Sequence, residues 1–170
     1  MLRRRQLLVA SVTTLPLFTA LSACAGPDPL AGPPPISSEV RALLQAVTAE
    51  QNLIWVYKRT MASYSGLAKD LGPLLAEHQA HLTQLRARVI EPPGKTIPGT
   101  VTRKPAIPGT PATALAQLRT AERAASTEQL RRLAGTSPAL AQLYASIAAS
   151  EATHVTALTT LAALAGKNPR

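Results

Sequence analysis

The sequence predicts an all-α fold, a four-helix bundle with a long crossover between the second and third helices. Hydrophobic residues make up 46% of the 170 residues and aromatic residues only 3%, whereas sheets are enriched in β-branched and aromatic side chains. Four segments place apolar residues at steps of three and four, the spacing of one helix face. The links between them are short, long and short, which is the connectivity of two helical hairpins joined by a crossover.

The first two helices form the first predicted hairpin. Ser37 and Ser38 are suitable N-caps, and the apolar stripe that follows them continues to Tyr64. The second helix is expected to stop before a Glu-Pro-Pro-Gly segment. Pro73 is expected in the first turn of this helix, because a proline further inside would remove a backbone hydrogen bond.

The second hairpin follows a connection, residues 91–110, that has no apolar period and holds two copies of Ile-Pro-Gly-Thr. We interpret this connection as a proline-stiffened crossing. The third helix should begin with Thr110 as its cap and Pro111 at its first position, a favoured pair. Gly135 is expected to close the third helix, and Pro138 opens the fourth.

Each predicted helix carries ionisable side chains on its apolar stripe. Glu50 and Glu122 lie near the middles of the first and third helices. Glu151 and His154 lie on the fourth helix within about 40° of the centre of its leucine stripe. Mid-helix positions of matched antiparallel hairpins meet at one level, so these side chains are predicted to share a buried layer. Burying them unpaired would be prohibitive, and each must therefore meet a partner there.

The second helix offers Glu77, His78 and His81, which include two of the three histidines in the chain. On a helical projection His78 lies at the centre of the stripe, with His81 about 60° and Glu77 about 100° away. No Glu-x-x-His spacing occurs in this helix. The sequence leaves open whether Glu77 or His78 faces the layer.

A glutamate from each of two helices and a Glu-x-x-His pair from other helices form the dimetal constellation of ferritin-like bundles. On these residues the chain resembles the ferritin-like superfamily and is similar to exported bacterial ferritin-like lipoprotein domains of unknown function, over about residues 37–167. The resemblance implies Glu50 and Glu122 as single carboxylate ligands and Glu151 with His154 as the fourth-helix pair. It implies iron or manganese, as one ion or two. The candidate metal ligands are Glu50, Glu77, His78, His81, Glu122, Glu151 and His154.

The first 23 residues are predicted to be an export signal. Arg4 and Arg5 precede an apolar run and resemble a twin-arginine signal. The run ends in Leu-Ser-Ala-Cys, which resembles a bacterial lipobox and implies lipidation of Cys24 with cleavage before it. Residues 24–36 are rich in proline and glycine and are predicted to be an extended tether. A plain signal peptide with an incidental cysteine is the alternative.

Two functions remain open on the sequence. A metal-loaded bundle, lipid-anchored at the outer face of the cell membrane, would support redox chemistry with oxygen or peroxide. A metal-free bundle would be a binding or structural envelope lipoprotein, with another envelope protein or a second copy as its partner. The net charge is +9, but its scattered basic residues carry no nucleic-acid motif, and we expect no nucleic-acid binding. No Ser-His-Asp arrangement, phosphate loop or cysteine-based zinc motif supports other chemistry.

Overall fold

The computed structural model describes residues 36–90 and 105–167, with side chains described as far as residue 165. Within these ranges the chain forms four α-helices and a single 3-10 turn, and no β-strand. The prediction of an all-α fold with four helices is confirmed for this part of the chain. The helices are α1 (Ser38–Ser63), α2 (Ala68–Arg86), α3 (Pro111–Arg132) and α4 (Pro138–Lys167).

The predicted leader with Arg4 and Arg5 lies outside the described residues, and so does the predicted lipidation site Cys24. All of the tether except its last residue, and residues 91–104 of the long connection, also lie outside them. Among the described helices, none combines the length and the apolar character that crossing a membrane requires.

The helix ends follow the capping signals in the sequence. Ser37 caps α1 by accepting a hydrogen bond from the backbone N–H three residues along the chain. Thr110 and Thr113 form a capping box at the start of α3, and Pro111 is its first residue. Beyond α3, Gly135 has a φ of 77°, in the left-handed region that glycine adopts without a steric penalty. The predicted helix boundaries at these positions are therefore confirmed.

The prediction that Pro73 lies in the first helical turn is wrong. A 3-10 turn at Ser65–Leu67 leads directly into α2, which begins at Ala68, so Pro73 lies in the second turn. The proline cannot donate to the carbonyl of Lys69 one turn earlier. Both Lys69 and Pro73 are exposed, and water can satisfy that carbonyl instead.

Two apolar clusters lie at opposite ends of the helices. The first joins the starts of α1 and α4 to the end of α2 and comprises Leu43, Ala46, Leu85, Leu140, Leu143, Tyr144 and Ile147. The second joins the ends of α1 and α4 to the starts of α2 and α3 and comprises Val56, Tyr57, Leu71, Leu115, Leu118 and Leu158. The helices of each hairpin therefore run in opposite directions. In α1, α2 and α4 the buried glutamates and histidines come between the two clusters.

The helices pack unevenly around this interior. α3 and α4 pack along their lengths, and α1 packs against both α2 and α3, while α2 and α4 touch at few positions. At one end, Glu39 of α1 accepts hydrogen bonds from the Ser137 backbone N–H (2.9 Å) and the Thr136 hydroxyl (3.3 Å). At the other end, the Tyr64 hydroxyl donates to the carbonyl of Pro108. These contacts fix α1 to the turn between α3 and α4 and to the segment before α3.

Candidate metal centre

The structure brings the seven candidate ligands into one layer between the two apolar clusters, called the polar layer below. Six of them are buried: Glu50, His78, Glu122 and Glu151 are fully enclosed, His154 is 3% exposed and His81 is 9% exposed. Glu77 differs, because its side chain is 54% exposed. The polar layer therefore has a closed interior and a single member that reaches well into solvent.

His78 is the centre of the polar layer, which answers the question that the sequence left open on α2. Its Nδ1 lies 2.8 Å from Glu50 Oε2, and its Nε2 lies 2.7 Å from Glu122 Oε1. Only a doubly protonated ring can donate from both nitrogens. Burial opposes this charge, but the hydrogen bonds to Glu122 and Glu50 outweigh burial and raise the pKa of His78 to about 10.

Glu50 and Glu122 are the two carboxylates that hold His78. Burial would raise the pKa of both, but their histidine partners reverse this effect, lowering the pKa of Glu50 and that of Glu122 to about 2. The Tyr57 hydroxyl also donates to Glu122 Oε1, at 2.5 Å. Burial and the nearby Glu122 charge in turn raise the pKa of Tyr57 above its usual value. Oε1 of Glu122 is therefore shared by Tyr57, His78 and also His154. Its Oε2 has no hydrogen-bond partner among the described residues.

His154 connects this interior to the exposed Glu77. Its Nδ1 is 3.3 Å from Glu122 Oε1 and its Nε2 is 3.1 Å from Glu77 Oε2. The Ser150 hydroxyl donates to the same oxygen of Glu77 at 2.6 Å. The hydrogen bond from Ser150 is the main cause of the lowered pKa of Glu77. Burial opposes it, and the hydrogen bond to His154 lowers the pKa by a smaller amount.

Glu151 is enclosed without any hydrogen bond. Neither of its carboxyl oxygens has a partner among the described residues. Burial first, and then the charges of Glu50 and Glu122, raise its pKa to about 9. Three more ligand-type atoms in the polar layer are buried without a hydrogen-bond partner: Glu50 Oε1, Glu122 Oε2 and His81 Nδ1.

Two sets of three side chains present ligand atoms that all lie within 4.8 Å of one another. One set is Glu50, His78 and His81, and the other is His78, Glu122 and His154. A neutral imidazole has one lone pair, so His78 can complete only one set at a time while it remains an ordinary imidazole. Carboxylate and imidazole together suit first-row transition metals, because imidazole favours iron and zinc and carboxylate favours manganese.

Two contacts of the polar layer were not predicted as part of the site. Tyr57 lies on the same stripe of α1 as Glu50, two turns further on, and also belongs to the second apolar cluster. That spacing could have indicated its contact with Glu122. Ser150 lies off the stripe of α4 and meets Glu77 only because α2 and α4 have a particular relative rotation, for which the sequence carries no signal.

Comparison with known proteins gives no independent support for the assignment of these residues as metal ligands. No family model, curated protein or solved structure matches this chain.

Proposed function

We propose that this chain is a ferritin-like four-helix bundle that binds iron or manganese in the polar layer. The observations that carry the proposal are the two sets of ligand atoms that meet at His78, together with the buried carboxyl group of Glu151, which has no hydrogen-bond partner among the described residues and is affected by the charges of Glu50 and Glu122. A buried polar group without a partner costs about 1–3 kcal/mol, and a charged one costs more. A divalent cation held by either ligand set would offset this cost by supplying positive charge near the Glu151 carboxyl group.

The ligand chemistry fits such an ion. The glutamates supply oxygen donors and the histidines supply nitrogen donors, a mixed set that suits iron and manganese. His78 would have to give up a proton to coordinate, because both of its nitrogens are engaged as donors to Glu50 and Glu122. Cation binding would then replace the single positive charge of the His78 ring by the two charges of the ion, so the carboxylates would keep a counter-charge throughout.

The ferritin-like connectivity is supported by where α2 ends and α3 begins. Leu85 near the end of α2 belongs to the first apolar cluster, and Leu115 near the start of α3 belongs to the second. The linking residues, 87–110, have to join opposite ends of helices that are roughly 33 Å long. A chain of that length can extend to roughly 80 Å, so a lengthwise crossing is well within its reach.

The leader and tether give the proposed location. A lipidated Cys24 would hold the domain at the outer face of the cell membrane. There a bound redox metal would supply chemistry with oxygen or peroxide. The protein's own contribution would be to hold Glu122 in place through Tyr57 and to exclude water from the enclosed carboxylates.

Metal analysis of protein purified after export tests the proposal. We expect about one equivalent of iron or manganese, or its uptake on reconstitution under anaerobic conditions. Glu151→Gln should weaken binding at least tenfold, whereas Glu128→Gln should not. Glu128 is a matched control, because it is a glutamate of α3 whose ionic partners are Arg131 and Arg132. Less than about a tenth of an equivalent, with no uptake, would contradict metal binding.

A metal-free function is the second candidate, and one observation favours it. His78 already satisfies both of its ring nitrogens with Glu50 and Glu122, so the centre of the layer is a closed ion network without a cation. In that case the bundle would serve as a binding or structural envelope lipoprotein. Its thermal midpoint would then not move when manganese or iron is added, which distinguishes it from the metal-loaded protein.

A further inference from the structure

The polar layer has its most exposed member, Glu77, between α2 and α4, two helices that touch at few positions. The Glu77 side chain is 54% exposed and reaches His154, which is 3% exposed. The remaining glutamates of the layer are fully enclosed. Any ion that reaches them from solution must therefore pass a side chain at the rim.

A continuous chain of polar contacts leads from this rim to the interior. Glu77 Oε2 is 3.1 Å from His154 Nε2, and His154 Nδ1 is 3.3 Å from Glu122 Oε1. Glu122 Oε1 is in turn 2.7 Å from His78 Nε2. Each step is short enough for a cation to exchange one ligand for the next. Two of the four side chains, Glu77 and Glu122, are carboxylates with lowered pKa values.

We propose that Glu77 is the access residue, which captures a hydrated divalent cation and passes it to His154 and Glu122. In this proposal the Ser150 hydroxyl acts as a latch that holds the Glu77 carboxylate until a cation binds. This inference rests on the proposed metal function and deepens it. The Ser150 hydroxyl donates to Glu77 Oε2 at 2.6 Å, a short charge-assisted hydrogen bond. That bond has to open before Oε2 can bind a cation. No covalent or redox step is involved, since water leaves the cation as protein ligands replace it.

The other rim residue is a weaker candidate for access. His81 is 9% exposed and approaches Glu50 Oε1 at 3.4 Å. An imidazole carries no negative charge that would attract a cation, whereas an exposed carboxylate raises the local cation concentration. Glu77 is therefore the rim residue whose charge suits it to capture a cation.

The proposal is tested by stopped-flow mixing of Co²⁺ with the exported protein. The visible absorption of bound Co²⁺ reports its uptake. Glu77→Gln keeps the size of the side chain and should slow association roughly tenfold. The dependence of the association rate on ionic strength should also shrink. Ser150→Ala should speed association and dissociation by the same factor and leave Kd unchanged, because a latch alters the barrier and not the end states. Glu128→Gln is the control and should match wild type.

The outcomes separate this inference from the proposed function. If wild-type protein binds neither Co²⁺ nor Mn²⁺, both are wrong. If wild-type protein binds and the Glu77 and Ser150 variants have wild-type rates, the access route is wrong while the metal function stands. If Glu77→Gln raises only the dissociation rate, Glu77 is a ligand of the final site and the access role is overturned.

Discussion

Replacing Glu151 by glutamine is expected to make the metal-free protein more stable at neutral pH. The carboxyl group of Glu151 is fully buried and makes no hydrogen bond within the described residues. Burial and the charges of Glu50 and Glu122 raise its pKa from 4.5 to about 9. Folding at pH 7 therefore takes up a proton at Glu151, a step that the amide of glutamine does not need.

The size of the effect follows from the pKa in the two states. Between pH 4.5 and about 9 the folded protein holds a proton on Glu151 that the unfolded chain has lost, so stability falls as pH rises through this window. Each pH unit corresponds to about 1.4 kcal/mol, which gives roughly 3 kcal/mol at pH 7 as an upper bound. The buried amide offsets about 1–2 kcal/mol of this through its own unpaired groups. We expect a net gain of about 1–2 kcal/mol at pH 7, rising toward pH 8 and vanishing between about pH 5 and pH 6.

Urea unfolding in the presence of a chelator measures this difference, because the free energy of unfolding is linear in urea concentration. Wild type, Glu151→Gln and the control Glu128→Gln should be compared between pH 5 and pH 8. A Glu151→Gln protein that is less stable than wild type at pH 7, or a difference that does not change with pH, would refute the reasoning. Either result would mean that Glu151 is ionised and partnered, and the argument for a cation beside it would fail.

Three further predictions concern proton release, a buried hydrogen bond and a helix end. Cation binding at pH 7 should release at least one proton from His78, whose pKa is about 10. Calorimetry in buffers of different ionisation enthalpy measures this release. If no proton is released, the ion does not bind at His78. Tyr57→Phe removes a donor to Glu122 and should lower the free energy of unfolding by about 1 kcal/mol, measured with urea; an unchanged value would contradict the hydrogen bond. Gly135→Ala should cost about 1–2 kcal/mol, because Gly135 has a positive φ that alanine disfavours. Gly66→Ala is its control, since a Cβ there meets no atom within 4 Å, and equal thermal midpoints for the two variants would contradict the prediction.

Local signals in the sequence predicted the helices well because their causes are local. The pair Thr110 and Pro111 starts α3, and Gly135 follows its end with the expected positive φ. Both features depend on residues within one turn of the chain. Pro73 was misplaced by contrast, because the sequence did not predict the 3-10 turn that lets α2 begin at Ala68.

The sequence predicted which residues form the site, but it predicted only some of the contacts between them. Helical periodicity was enough to locate Glu50 and His78 on inward faces, since burial follows from the position on the stripe. The projection put Glu77 about 100° from that centre, and its side chain is indeed the exposed one. Its contact with Ser150 depends on the rotation of α4 against α2, which no single helix determines.

The arrangement of the core explains how the chain can hold a polar layer of this kind. The two apolar clusters flank the layer, and between them they draw on all four helices. Burial of apolar side chains at both ends supplies the main stabilisation of the fold. The ion pairs of His78 with Glu50 and Glu122 compensate part of the layer's negative charge. The metal-free protein should therefore fold, and cation binding should add stability through mass action without being a condition of folding.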